Sequence, residues 1–394
     1  MPGVNDMTFN QLATTLNSIV RQATGINTIT PTNTAEFVSV GTTALNVGTD
    51  AIFQTLTNVI GRTIFANRPY TRKFQGIEAS QQRWGYINRK ISISDRSFEN
   101  DDSYVLTEGG TCDPWMIKKA NLIEEKFYGT NVFQDYLTIP TVQLRSAFTN
   151  PGDFAALLDL MTTNMQDRME QATENGARAA IANMIAGVVT GGGAEQVVHL
   201  LTEYNQETGL NPPLTATTVM QPDNFAPFMR WAYARVAVIS DRMAERSTLY
   251  HTSLTGKPIM RHTPAEDQRL FMFSPALRKM DATVLSTTFH DNYLKQPYTE
   301  AVGFWQSIEV PDQIQATPAY LAADGTITTA QAAVTVENVF AFLCDRDALG
   351  ITLFDESVMA SPLNPKCQYY NVFYHRNTRW WNSYTENAIV FLLD

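Results

Sequence analysis

The chain closes with NVFYHRNTRWWNSYTENAIVFLLD, residues 371–394, and three readings compete for this stretch. Phe373, Tyr374, Trp380 and Trp381, interleaved with His375, Arg376 and Arg379, have the texture of a single-strand nucleic-acid grip, in which bases stack on exposed rings. The apolar run AIVFLL (388–393) suggests a membrane tail, but it is far shorter than the roughly 20 residues a spanning helix needs. The third reading is sheet. Adjacent aromatic pairs, Tyr369-Tyr370 and Trp380-Trp381, point to opposite faces of a strand, so a sheet covered on both sides explains them without a ligand. The segment reads as a late hairpin: an aromatic strand, SYTEN (383–387) as the turn, then AIVFLL, with the aromatic faces buried against helices.

Upstream, VFAFLCDRDALGITLF (339–354) is also strand-rich, and RLFMFS (269–274) reads as a buried strand followed by a helix, PALRKMDATVLSTTF (275–289), with Pro near its start. A helix with Phe225, Phe228, Trp231, Val236, Ile239 and Met243 on one stripe precedes them. Helix, strand, helix predicts an α/β layer. The segment 290–335 is turn-rich. Asn150-Pro151-Gly152-Asp153 opens a long helix with an apolar stripe (Phe154, Leu157, Leu158, Met161, Met165, Met169, Ala172, Ala179, Met184) and a charged face (Asp167, Arg168, Glu170, Glu174, Arg178), stopped by TGGGAE. Two strand candidates, 83–94 and 121–129, flank a polar, turn-rich tip and predict a long two-stranded arm. Such a pair is marginal alone in water, so it must lie against something else, such as a neighbouring subunit. Asp50 is a candidate cap for a helix carrying Ile52, Phe53, Leu56, Val59, Ile60 and Ile64. The first 48 residues, an amphipathic helix candidate (Phe9, Leu12, Leu16, Ile19) amid Thr/Asn-rich sequence, read as an arm with little core of its own.

At 394 residues the chain predicts two or three packed subdomains. Hydrophobic residues at 44 % and charged residues at 17 % indicate an ordered globular protein whose polar surface partly meets other protein. A net charge of −10 with no basic run longer than two disfavours coating nucleic acid by counterion release. Phosphate-loop, dinucleotide and nucleophile-elbow motifs are absent, and Gly191-Gly192-Gly193 follows a helix, which makes it a stop rather than a phosphate cradle. The five His lack metal-ligand spacing, and Cys112, Cys344 and Cys367 lie far apart, as unpaired thiols of an intracellular chain. The start, MPGVNDMTFNQL, has no secretory pattern. The carboxylate pairs Glu124-Glu125, Asp101-Asp102 and Asp345/Asp347 read as solvated faces or inter-subunit salt bridges rather than as an acid/base couple. No catalytic, cofactor-binding or metal residue is selected.

The order of parts, together with GRTIFANRPYTRKFQG (61–76), RWGYINRKISISD (83–95), NLIEEKFYGTNVF (121–133), EQATENGARAAIANMI (170–185), VFAFLCDRDALGITLF (339–354) and YYNVFYHRNTRWWNSYTENAIVF (369–391), resembles the major capsid proteins of tailed bacteriophages, from about residue 40 onward. The resemblance implies an α+β, Hong Kong 97-like fold: an N-terminal arm (1–48), a helix and lead-in (49–76), an E-loop hairpin (77–130), a P domain (131–220) with a spine helix (150–187), an α/β A domain (221–335), and late strands (336–394) completing the P and A domains. It implies a non-enzymatic subunit, without cofactor, that assembles with itself as hexamers and pentamers into an icosahedral virion shell. That shell encloses double-stranded DNA without sequence-specific contacts and forms in the host bacterial cytoplasm, away from any membrane. Portal, scaffolding and decoration proteins are the further partners implied. Arg89, Lys90, Glu124, Glu125, Arg168 and Glu170 are the expected subunit contacts. Some members cross-link through Lys and Asn; Lys90 lies in the arm, but no partner Asn or catalytic Glu stands out, and non-covalent assembly is expected. The short N-terminal arm leaves no room for a scaffolding domain, which implies a separate scaffold. An encapsulin-like nanocompartment shell is the alternative with the same fold, and an α/β metabolic enzyme the alternative of another class.

Overall fold

The computed structural model describes residues 9–25, 30–47, 53–56, 72–79, 88–95, 107–111, 115, 117, 119–149, 151–159, 165–280 and 299–394. Its helices are α1 (Phe9–Thr24), α2 (Thr34–Val47), α3 (Thr141–Thr149), α4 (Pro151–Asp159), α5 (Met165–Gly191), α6 (Leu200–Thr208), α7 (Pro222–Met243) and α8 (Ser274–Met280). Its strands are β1 (Asn88–Ile93), β2 (Leu122–Phe127), β3 (Gly129–Pro140), β4 (Val197–His199), β5 (Gln268–Phe273), β6 (Thr299–Val302), β7 (Ile314–Ala316), β8 (Ala319–Leu321), β9 (Ile327–Thr329), β10 (Val334–Val336), β11 (Val339–Asp345), β12 (Leu349–Ala360), β13 (Tyr369–Asn382) and β14 (Ala388–Leu392).

The uninterrupted apolar runs of β11 and β14 demand burial on both faces, and both strands lie inside a five-stranded sheet of order β4-β14-β11-β5-β6. Alternation then assigns side chains to two separate cores. Ala388, Val390 and Leu392 join Phe342, Cys344 and Phe271 against α5, whereas Ile389, Phe391 and Leu393 join Leu343, Leu270 and Met272 against α6 and α7. The stripe expected for the helix at 222–243 is the face that does this, with Phe225, Phe228, Val236, Ile239 and Met243 buried. The expected buried strand at 269–274 and the helix after it appear as β5 and α8; 281–298 lie outside the described residues. The turn-rich 290–335 segment holds strands of three or four residues that were not expected, pairing as β7 with β10, β8 with β9, and β6 with β5.

The hairpin expected at 371–394 does not form. β13 pairs with β12 and β3 in a separate three-stranded sheet, β14 pairs with β11 and β4, and 383–387 is a buried crossing between the sheets. The reason is the difference in pattern: β14 is apolar on both faces and fits only a doubly covered sheet, whereas β13 alternates buried with half-buried residues. Trp380 and Trp381 do point to opposite faces, as expected, and each is accommodated by a glycine directly across the ladder, Gly129 and Gly350. A Cβ on Gly350 would lie 2.2 Å from the Trp381 ring, so the missing side chain is what admits the indole.

The inner face of β13 (Tyr370, Val372, Tyr374) closes a third core with α1, α2, α3, α4 and the start of α5. Here the expectation of an N-terminal arm without core fails, because Leu12, Leu16, Ile19, Val20, Phe37 and Val40 are all buried. Of the helix expected after Asp50, residues 53–56 are helical with Phe53 stacked on Tyr370 (ring centroids 4.2 Å apart), and the rest lies outside the described residues. The long helix is described as α4 and α5, with 160–164 outside the described residues, and it ends at Gly191 as the glycine run predicts. Its pattern differs from the two-faced expectation: Ala179 is exposed, Glu174 and Arg178 are buried, and from Met184 to Val188 every residue is buried. A helix buried all round belongs to the inside of a layered structure.

Candidate subunit-contact surface

The two-stranded arm forms as expected, with β1 and β2 antiparallel and Lys90 opposite Glu125, Ile91 opposite Glu124, and Ile93 opposite Leu122. Because side chains alternate, the arm has two faces of different chemistry. The inward face is polar apart from Ile123 and Phe127. Lys90 pairs with Glu386 and lies 3.3 Å from Ser383 Oγ, which donates to Glu125 at 2.8 Å. Arg261 donates to Ser92 Oγ at 2.8 Å and pairs with Glu386 at 3.1 Å. The end of β1 is anchored by Asp95, whose amide donates to Pro258 O and whose carboxylate accepts from Met260 N and Arg246. The outward face carries Ile91 (54 % exposed), Ile93 (63 %) and Leu122 (60 %), and Trp115 (85 %) and Ile117 (81 %), between the two strands in sequence, are exposed apolar residues as well. Exposed apolar residues gathered on one arm are the signature of a surface meant for another protein.

A second polar cluster ties the lead-in to the arm onto α5. Arg72 bridges Glu78 and Glu170; Glu170 also accepts from Arg376 at 2.7 Å, and Arg376 reaches Glu356 at 2.8 Å. The Glu78 hydrogen bond is the main reason the Arg72 guanidinium is held still more firmly in its charged form. One turn further along, Glu174 accepts from Lys73 N at 3.1 Å and from Arg178 at 2.7 Å, and the Arg178 guanidinium lies over the Phe304 ring at 3.8 Å. The cavity between these groups, about 330 Å³, is lined by charges that already satisfy one another. Among the described residues no group of His, Cys, Asp or Glu is arranged to hold a metal ion, and no helix is long and apolar enough to cross a membrane.

Of the six expected contact residues, Lys90, Glu125 and Glu170 engage partners within the chain as given above. Arg168 pairs with Asp135 at 2.7 Å, and Arg89 pairs with Glu124 at 3.3 Å across the arm; both arginines are well exposed. The structure brings Lys90 and Glu125 together on the inward face and leaves Arg89 and Glu124 outside. Sequence reasoning missed Glu386, Arg261, Asp95, Arg72 and Arg376. Apart from the Arg72–Glu78 and Arg376–Glu356 pairs, their partners are far away along the chain, 206 residues for Arg376 and Glu170, and no local pattern marks them. Cys344 is a buried free thiol, pushed up by desolvation, and Cys367 is free and exposed; Cys112 lies outside the described residues.

Two solved phage structures share this architecture. A chain in the capsid structure of Staphylococcus phage Andhra aligns with a TM-score of 0.54 at 12 % identity, over 84 % of this chain and 87 % of that one. A chain in the structure of the head fiber and inner core protein gp22 of native bacteriophage P68 aligns with a TM-score of 0.56 at 11 % identity, over the same shares of the two chains. The fold is therefore one found in a phage capsid. No curated protein sequence matches. The family model described as Phi29-like phage major capsid protein matches residues 15–392, and the chain belongs to that family.

Proposed function

We infer that this major capsid subunit assembles as hexamers and pentamers into an icosahedral shell around the double-stranded DNA of a tailed phage, in the host cytoplasm, and that it acts by packing rather than by catalysis. The observation that carries this reading is the outward face of the arm, where Ile91, Ile93 and Leu122 stand exposed to solvent. At roughly 25 cal/mol per Å² of apolar surface, covering them with a neighbouring copy supplies assembly energy at every contact. In this reading residues 77–130 are the E-loop lying across the adjacent subunit, 131–220 the P domain with its spine, 221–335 the A domain around the symmetry axes, and 336–394 the strands that complete both. Arg89, Glu124 and Arg168, exposed on the arm and spine, are the charged contacts to neighbours. Lys90, Glu125 and Glu170 position the arm from within. Portal, scaffolding and decoration proteins complete the partner set. DNA is enclosed without base reading, consistent with the net charge of −10. Purified chain imaged by electron microscopy is expected to show closed particles or hexameric and pentameric rings. A chain that stays monomeric at high concentration refutes the proposal.

A further inference from the structure

Beneath the seat of the arm a line of four side chains runs from a fully enclosed histidine to the wall of an open cleft. His251 Nε2 lies 2.8 Å from Ile259 O, and Nδ1 lies 3.3 Å from the Asn387 amide. That amide lies 3.1 Å from Thr263 Oγ1, and Thr263 Oγ1 lies 2.7 Å from Asp345 Oδ2. His251, Asn387 and Thr263 are buried, and Asp345 lines a cleft of about 590 Å³.

Proton counting restricts this line. Ile259 O can only accept, so Nε2 carries a hydrogen. If His251 is neutral, Nδ1 is an acceptor and the Asn387 amide turns its NH2 toward it. The amide oxygen then faces Thr263, which donates to it, and Thr263 in turn needs a donor, the protonated carboxyl of Asp345. If His251 is protonated, the Nε2 bond is unchanged and the other three reverse: Nδ1 donates to Asn387, Asn387 donates to Thr263, and Thr263 donates to ionised Asp345. Each arrangement is fully bonded, and each holds one acidic proton on the pair. With neutral His251 and ionised Asp345, one pair of neighbours in the line must meet acceptor to acceptor, which costs the line one of its hydrogen bonds.

The geometry points to a one-proton switch under the arm: the His251–Asp345 pair keeps one proton while the arm is seated, and losing it loosens the 258–261 segment that holds β1. The link runs through the imidazole: Nε2–H keeps its bond to Ile259 O in every state, but a ring that has lost its Nδ1 partner is held from one side only, and Ile259 sits between Pro258 and Met260, which bond Asp95, and two residues before Arg261, which bonds Ser92 and Glu386. The surrounding charges favour the proton at the Asp345 end. Lys90 and Arg261 face His251 and, with burial first, push it below its ordinary value. Burial, with Glu386 and Asp347 as like charges, pushes Asp345 up, against the hydrogen bonds from Asp347 N and Thr263. Arg246, His262, Asp267 and Arg346 complete the cleft wall. A carboxyl with a raised folded pKa stabilises the seat at low pH and loses that contribution as pH rises from about 3.9 through its folded value.

Hydrogen exchange of the full-length chain, corrected for the intrinsic pH dependence of exchange, reads the Asp95 amide that donates to Pro258. In the wild type its protection is expected to fall about ten-fold as pH rises across the Asp345 titration. In Asp345→Asn the side-chain NH2 donates to Thr263 permanently, and protection is expected not to fall as pH rises through the window in which the wild type loses it. Flat protection in the wild type, or an Asp345→Asn profile that still titrates like the wild type, overturns the switch. If that variant does not fold, the imidazole ¹⁵N spectrum of the wild type decides. The Nε2–H tautomer, with its Nδ1 signal stepping in register with Asp345, supports the switch; a His251 titrating independently of Asp345 refutes it.

Discussion

Ending the chain at Asn387, so that Ala388–Asp394 are missing, is expected to abolish folding and not merely to weaken a contact. Ile389, Val390 and Phe391 are completely buried and Leu392 and Leu393 nearly so, shared between two cores. At roughly 1.5–3 kcal/mol per large apolar side chain, reduced somewhat because unfolded chains are already partly compact, the loss is on the order of 10 kcal/mol. That equals the whole stability of a typical domain, about 5–15 kcal/mol. The loss also strips the ladder partners from one edge of β11 and from β4, leaving backbone groups unpaired inside the sheet. Deleting Asp394 alone, an exposed residue whose carboxylate meets His199 at 2.7 Å, serves as the control and should cost about 1 kcal/mol or less. Far-ultraviolet circular dichroism and thermal melts of the soluble fraction distinguish the two variants. A truncated chain that is soluble and melts cooperatively near the wild-type temperature refutes the assignment of this run to the centre of the sheet.

Arg376→Met leaves Glu170 with Arg72 as its remaining cationic partner and should destabilise the chain by about 1.5–3 kcal/mol, whereas Arg168→Ala, which breaks the exposed pair with Asp135, should cost about 1 kcal/mol or less. Denaturant midpoints of the two variants compare them directly, and equal shifts would contradict the burial argument. In the Asp345→Asn background, where the opposing carboxyl is removed, stability should decline as pH falls below about 6.5: burial holds the folded pKa of His251 down, so the unfolded chain binds more protons in that window. Melting temperatures that stay constant from neutral pH down through that window would show that His251 is not the group responsible.

How much of this was readable from the chain follows the range of the physics. Uninterrupted apolar runs such as Val339–Cys344 and Ala388–Leu393 need cover on both faces wherever they lie, and helices with stripes such as Phe225–Met243 declare themselves within a few turns. The glycine run ended α5 where expected. What failed was pairing. Nothing local distinguishes a turn that returns β13 onto β14 from a crossing that sends them into different sheets, because that choice depends on β3 and β4, more than 180 residues upstream. Strands of three residues, as at 314–316 and 327–329, are shorter than any period that could reveal them. The N-terminal helices looked coreless because the surface that buries them is supplied by α3, α4 and β13. At the arm, the strands and their charges were legible, but the partners of those charges, Glu386 and Arg261 above all, were not.

The low charge fraction takes on a different meaning once those partners are known. As composition, 17 % charged residues hinted that polar surface meets other protein. In the fold, a good share of the charge points inward: Arg178 and Arg376 are buried, and Glu386, Glu170 and Arg72 are mostly enclosed. Replacing such pairs with apolar side chains of similar volume would often be neutral or stabilising, so stability alone does not explain them. Their placement does. Each fixes one element against another beside their apolar contacts: Arg72 joins the lead-in to α5, Arg376 joins β13 to α5, and Glu386 joins the crossing to the arm and to the 258–261 segment. An apolar seam there would tolerate sliding, since dispersion and burial carry little directional preference. A bridging carboxylate with two guanidinium or ammonium partners accepts few arrangements. The arm of a shell subunit has to leave its own core at a defined angle while keeping its apolar face free, and fixing that angle with directional polar contacts meets both requirements at once.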